Sequence, residues 1–263
     1  MKQFFFLSGS ARSGSTLLGS ILNQNPNIHV SPTSPLLDLF CLVEGNLQQL
    51  TQQYTFDLSQ VSPNVHDGLA QSFYKHIDKP YIMDKHRGWP KNVESIKKVI
   101  TPNPKVICTH RPIAETIVSF IKLMRTDPNN SVDKTLIQRR IPITTENRAR
   151  LLWEEYAIEP FYGFKYGLEN NRESLFIVEY DDIVYNTFDT LKNIYQFLEI
   201  PYYDKHYTNR IENTCAEAKD EAWGFKGLHD IKPTIVKTSD DPLTVLGSEL
   251  YDFFCQIESQ LKL

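Results

Sequence analysis

The opening 22 residues constrain the fold more than any other stretch of the chain. A four-residue apolar run, residues 4–7 (FFFL), ends in Ser8, Gly9 and Ser10, and a helical period then begins with Leu17, Leu18, Ile21 and Leu22. An apolar run this short, bounded by turn residues, reads as a buried strand. Apolar residues spaced by three and four read as one face of a helix. A buried strand followed at once by a helix must cross over before its neighbour can pair, which is how a parallel α/β sheet begins.

The same unit recurs. Residues 81–83, 106–108 and 175–178 are further short buried runs, and helical periods separate them. Leu36, Leu37, Phe40, Val43, Leu47 and Leu50 predict one helix, and Leu69, Phe73 and Ile77 a shorter one. Further helices are predicted over 93–100, 113–124 and 188–198, with Pro102 and Pro201 stopping the first and last. Residues 145–170 predict one long amphipathic helix kinked at Pro160, and 243–261 a single packing helix. Residues 28–35, with two prolines, predict an extended loop. Residues 126–143, rich in Asp, Asn and Pro among mixed charges, predict a flexible connection or lid. No linker, internal repeat or low-complexity tract divides the chain. Residues 1–263 are therefore expected to form one α/β domain, a central, mainly parallel sheet with helices on both faces.

Composition narrows the function classes. With 28 Lys and Arg against 32 Asp and Glu the net charge is -4, and no basic run stands out, so neither nucleic acid nor an anionic membrane surface is an expected partner. The four cysteines lie at least 40 residues apart, which fits neither a zinc knuckle nor a dense disulfide framework and favours a reducing compartment. The first apolar run is shorter than the ~7 residues a signal peptide needs, and no run reaches the ~18 of a membrane span. A cytoplasmic protein is expected.

The loop after the first strand carries the chemistry. Residues 9–16, GSARSGST, have the two glycines of a phosphate-binding loop, G-x-x-x-x-G, between a strand and a helix. Glycines let backbone N–H groups and the positive end of the helix converge on one phosphate, and Ser13, Ser15 and Thr16 add hydroxyl donors. A nucleotide kinase needs lysine where this chain has Ser15, and no strand ends in an evident metal-binding Asp. A P-loop nucleotide kinase is therefore the second reading. An ordinary strand-to-helix turn with a surface arginine is the blandest. The cation inside this loop is Arg12.

RSGST followed by LLGSIL resembles the 5'-phosphosulfate loop of the sulfotransferases that use 3'-phosphoadenosine 5'-phosphosulfate (PAPS), usually P-[RK]-S-G-[ST]-T, with Ala11 where proline is common. A second segment, KVICTHRPIAETIVSF, is similar to that family's 3'-phosphate site, with Arg111 after a buried strand and Ser119 eight positions later. LFIVEYDDI resembles the strand ending in an aromatic near the adenine, which is Tyr180. WGFKGLHDI resembles the mobile segment that closes over the 3'-phosphate, with Lys226 and Gly227 as the contacts. Thr214 touches the adenine in the same scheme. These motifs span residues 9–230.

The resemblance implies a P-loop-containing sulfotransferase-like fold, PAPS as donor with 3'-phosphoadenosine 5'-phosphate (PAP) as product, and no required metal. The acceptor would be a small-molecule hydroxyl on a phenol, alcohol or sugar. Arg12, Ser13, Gly14, Ser15, Thr16, Arg111, Ser119, Tyr180, Thr214, Lys226 and Gly227 would bind the donor, with 213–232 as the closing segment and Arg12 also catalytic. YIMDKH is similar to the family's K-T-H strand end, which makes His86 the expected base, although Lys85 is adjacent to it and not two positions earlier. Asp84 or Lys85 would orient or polarise the site. His29 is the reserve base, and the role of His110 is open. The protein-tyrosine branch carries a glutamate where this chain has NPNIHVSPTSP, so protein tyrosine is a disfavoured acceptor. Residues 31–45, with Phe40, and 126–143 are expected to wall the acceptor pocket. A catalytically inactive nucleotide-binding scaffold is the third reading, against which the intact Arg12, Arg111 and Ser119 speak.

Overall fold

The computed structural model describes residues 2–54, 61–217, 219–236, 240–261 and 263. Five strands, β1 (Gln3–Gly9), β2 (Ile28–Thr33), β3 (Tyr81–Lys85), β4 (Val106–His110) and β5 (Leu175–Glu179), form one sheet in the order β2-β3-β1-β4-β5. Every pairing is parallel. β1 lies in the middle because its phenylalanines are buried on both sides. Phe5 and Leu7 face α1 (Ser15–Leu22) and α10 (Thr187–Leu198), joined there by Met83, Ile107 and Val178. Phe4 and Phe6 face the opposite way with Ile82, Val106, Cys108 and Leu175, under α2 (Leu36–Gln53), α3 (Val61–Phe73) and α4 (Val93–Val99). Alternate strand residues thus feed two cores, as a sheet covered on both faces requires. A third core gathers α5 (Ile113–Met124), α6 (Ser131–Gln138), α7 (Thr145–Leu152) and the chain's last helices.

Four expectations are corrected. Residues 28–35 are not loop, since β2 occupies most of them as an edge strand whose register shifts between Val30 and Thr33, around Pro32. Proline cannot donate to a ladder, and an edge is where a sheet tolerates it. Asn23 covers that edge, its side chain bonding both N–H and C=O of Val30 at 2.7 and 3.0 Å. Residues 126–143 are not irregular connection throughout, because α6 lies within them and is anchored. Asn130 caps it by accepting from the Asp133 N–H at 2.8 Å, Val132 and Leu136 are buried, and Asp133 takes two 2.7 Å bonds from Arg148.

The long helix is broken between α7 and α8 (Ile158–Asn170) by a π turn at Trp153–Ala157. Pro160 has no N–H for the carbonyl of Tyr156, and the wider turn accommodates that gap just upstream of the expected kink. The last helix is two, α11 (Pro242–Leu246) and α12 (Ser248–Glu258), split where Gly247 takes φ +77°. A further short helix, α9 (Tyr180–Tyr185), follows β5 directly. Residue 218 of the expected closing segment lies outside the described residues.

Candidate active site

β3 pairs with β1 on one side and β4 on the other. A crevice therefore opens above the carboxyl end of β1, where open α/β sheets take ligands. The loop from β1 to α1 fills its floor. Gly14 caps α1 with φ +91°, and a Cβ there would stand 2.9 Å from the Tyr180 ring, so both backbone twist and crowding demand glycine. Arg12 also takes a positive φ, 67°, a conformation costing of order 1–3 kcal/mol in a residue with a side chain. That twist turns its guanidinium across the crevice. Ser13 is fully buried beneath the loop, donating to the Ser10 carbonyl at 2.6 Å and bonding the Thr109 hydroxyl at 2.7 Å. It fastens the loop to β4 and does not face the cavity.

A cavity of about 200 Å³ lies above the loop, lined by Arg12, Gly14, Ser15 and Thr16, by Arg111, Ser119 and Tyr180, and by part of 228–236. The Arg12 Nε donates to the Ser119 hydroxyl at 3.1 Å, and its guanidinium also donates to the Leu228 carbonyl. Arg111 is buried, donates to the Arg12 carbonyl at 3.3 Å and to Glu115 at 3.2 Å, and lies 4.4 Å from the centroid of the Tyr180 ring. Burial and then the neighbouring Arg111 make it harder for Arg12 to stay protonated, while Tyr180, Asp220 and Asp230 act the other way. Two crowded arginines, one of them bonded to neutral acceptors, and the unpaired N–H groups of α1 suit a ligand with more than one negative charge. That is the charge pattern of a phosphorylated nucleotide phosphosulfate, so the residues present fit that group.

Three further expected contacts are not brought to this cavity. Lys226 is exposed, with its backbone N–H on Asp127 at 3.0 Å. Gly227 turns against Asp230 with φ +70°. Thr214 is exposed and accepts from Asn23 at 3.2 Å. The same segment reaches the cavity slightly later, from Leu228 onward.

The histidines separate cleanly. His86 does not line the cavity. Its Nδ1 accepts the Gly88 N–H at 3.1 Å and its Nε2 stands 3.7 Å from Asp38. A neutral ring bonded in this way carries its proton on Nε2 and has no lone pair left for a substrate. Burial lowers its pKa, with Asp38 opposing and Arg87 assisting. His29 is the second residue of β2, at the amino end of the sheet and so opposite the crevice, which removes it as reserve base. His110 is clamped between Glu179 at 2.8 Å and Glu258 at 2.7 Å. Asp84 is fully buried and accepts from Trp89 Nε1 at 2.9 Å, from Tyr74 and from Ser34. Burial raises its pKa against those donors. It is committed to structure and not to a metal, which weighs against the kinase reading.

Sequence reasoning named Lys85 but missed the cluster it joins beside the loop. The Lys85 ammonium is buried 3.3 Å from the Thr16 hydroxyl and 3.7 Å from Glu217, whose carboxylate accepts the Thr33 N–H at 2.7 Å. His229, a cavity residue, has Nδ1 2.6 Å from Asp220 and Nε2 4.0 Å from Glu217. The signal for His229 in the sequence was that it sits two residues beyond the Lys226–Gly227 pair.

Similar folds carry a common label. The chain superposes on a sulfotransferase from Alicyclobacillus acidocaldarius with TM-score 0.54 at 14% identity, covering 100% of this chain and 94% of that one. It superposes on the sulfotransferase domain of the Synechococcus PCC 7002 olefin synthase with TM-score 0.52 at 18% identity, covering 98% and 94%. The sulfotransferase domain of the curacin biosynthetic pathway gives 0.50 at 17%, covering 98% and 96%. No curated protein gives a significant sequence match. A family model described as the sulfotransferase family matches residues 5–204, three quarters of the chain, and the protein belongs to that family.

Proposed function

We propose that the protein transfers a sulfuryl group from PAPS to a hydroxyl of a small molecule, a phenol, an alcohol or a sugar, with a histidine as base. The observation that carries this reading is the convergence of Arg12, Arg111 and Ser119, from two separate strand-to-helix junctions, on one cavity at the start of α1. PAPS supplies an activated sulfuryl group whose leaving group is a phosphate. The N–H groups that open α1, with Ser15 and Thr16, bind the phosphosulfate end. Arg12 stays charged through the reaction and stabilises the growing charge on the leaving oxygen, while Lys85 holds Thr16 from below. Arg111 and Ser119 bind the 3'-phosphate, and Tyr180 flanks the adenine side. A cytoplasmic setting fits the four free cysteines.

Calorimetric titration with PAP, adenosine 5'-phosphate and ATP with magnesium tests the reading. PAP is expected to bind at least tenfold more tightly than adenosine 5'-phosphate, a difference of about 1.4 kcal/mol, and Arg111→Ala to abolish that preference. Preference for ATP with magnesium would establish the kinase reading instead, and equal affinity for PAP and adenosine 5'-phosphate would remove Arg111 from the 3'-phosphate site.

A further inference from the structure

We propose that His229, held by Asp220, takes the proton from the acceptor hydroxyl. This rests on the sulfotransferase reading above and adds the identity of the base. The Asp220 carboxylate accepts twice from His229, from the backbone N–H at 3.0 Å and from ring Nδ1 at 2.6 Å. A carboxylate only accepts, so the ring proton sits on Nδ1 and the Nε2 lone pair is free. This is the reverse of His86, where Gly88 occupies Nδ1. Nε2 faces Glu217 at 4.0 Å, and Glu217 adjoins Lys85, which touches Thr16 in the first turn of α1. The residue before it, Leu228, accepts from Arg12. His229, the phosphate loop and its cation thus line one cavity.

The groups around the ring set a neutral base at physiological pH. Burial and the Lys85 charge lower the His229 pKa from its ordinary value, and Asp220 and Glu217 work against them. In the reaction the acceptor oxygen forms the new bond to sulfur. The bond from sulfur to the bridging phosphate oxygen breaks, its electron pair staying on the phosphate of PAP. The hydroxyl proton passes to Nε2, Asp220 stabilises the imidazolium, and the proton leaves to solvent before the next turnover. His229 is the catalytic residue in this scheme and Asp220 a positioning residue.

The test uses the full chain, wild type and the variants His229→Gln and Asp220→Asn, with sulfur-35 PAPS and a mixture of 2-naphthol, 1-octanol and glucosamine as probe acceptors. His229→Gln is expected to lower kcat by about 10² to 10⁴ while PAP affinity stays within about threefold. Asp220→Asn is expected to lower kcat less and to move the acidic limb of the kcat profile to lower pH, a shift that a merely structural aspartate would not produce. In nitrogen-15 spectra of histidine-labelled wild type, Nδ1 of His229 should carry the proton and Nε2 none at neutral pH. The opposite tautomer overturns the proposal, as does wild-type turnover in His229→Gln, or loss of turnover in His86→Gln alone. Wild type that neither binds PAP nor transfers sulfate overturns the sulfotransferase reading itself, and this inference with it.

Discussion

His110 gives the fold a pH dependence that can be worked out from its surroundings. Burial opposes a charge on its ring, but hydrogen bonds to Glu179 and Glu258, and their charges, outweigh it and hold the imidazolium up to about 9, against an ordinary 6.5. At about 1.4 kcal/mol per tenfold change in proton affinity, that interval corresponds to about 3 kcal/mol of stabilisation. The side chain is only 9% exposed, so solvent screening reduces this little. Because the folded pKa is raised, the contribution is complete below 6.5 and disappears as pH climbs through 9. About 2 kcal/mol of it remains at about pH 7.5, and almost none at about pH 10. Urea unfolding of wild type and His110→Gln at these two pH values isolates the effect, since other groups titrating there cancel between the two proteins. Wild type should lose about 2 kcal/mol more than the variant on going to the higher pH. Parallel losses, or an NMR titration of His110 centred near its ordinary value, would refute the clamp as a source of stability.

Two further perturbations probe the loop and the sheet. Gly14→Ala must force a side chain into φ +91° and against the Tyr180 ring at 2.9 Å, so stability should fall by about 1–3 kcal/mol and PAP binding with it, by urea melts and calorimetry. Unchanged PAP affinity would show that the loop tolerates a wider turn. Asp84→Asn replaces one acceptor oxygen by a donor amide facing Tyr74, Ser34 and Trp89, which should cost about 1–3 kcal/mol in denaturant unfolding. Wild-type stability in that variant would mean that the three donors find other partners.

The parts of the fold that were legible in sequence are those where burial imposes a period. Phe4 to Leu7 and residues 106–108 read as strands because both sides of each are apolar. β2 did not, because Pro32 looks like loop until its edge position is known, and an edge is set by strand order, which no local pattern encodes. Residues 126–143 misled for another reason. Asn130 and Asp133 read as surface polarity, yet both are buried and satisfied by each other and by Arg148, a partner 15 residues from Asp133 that no spacing rule joins to it. The site divides the same way. Arg12 and Arg111 stand in strand-to-helix junctions and Ser119 two turns into α5, where position follows from the motif. His229 and Asp220 lie in a segment with little regular structure, where nothing periodic says which residues meet. His86 occupied the expected strand end, but the tautomer that decides its chemistry is fixed by Gly88, two residues on.

The place of β1 in the sheet also bears on how the chain is made. Within the sheet β1 is made before either of its neighbours, since Gln3 pairs with Tyr81 and Phe6 with Val106. At about 5–20 residues per second, a nascent chain holds three adjacent phenylalanines beside one strand edge that waits for β3 and another that waits roughly 5–20 s for β4. Until its own partner is made, no native strand covers either edge, and any strand with a matching edge competes. Yield in the cell should therefore depend on holdase chaperones that shield β1, more than on the stability of the finished sheet.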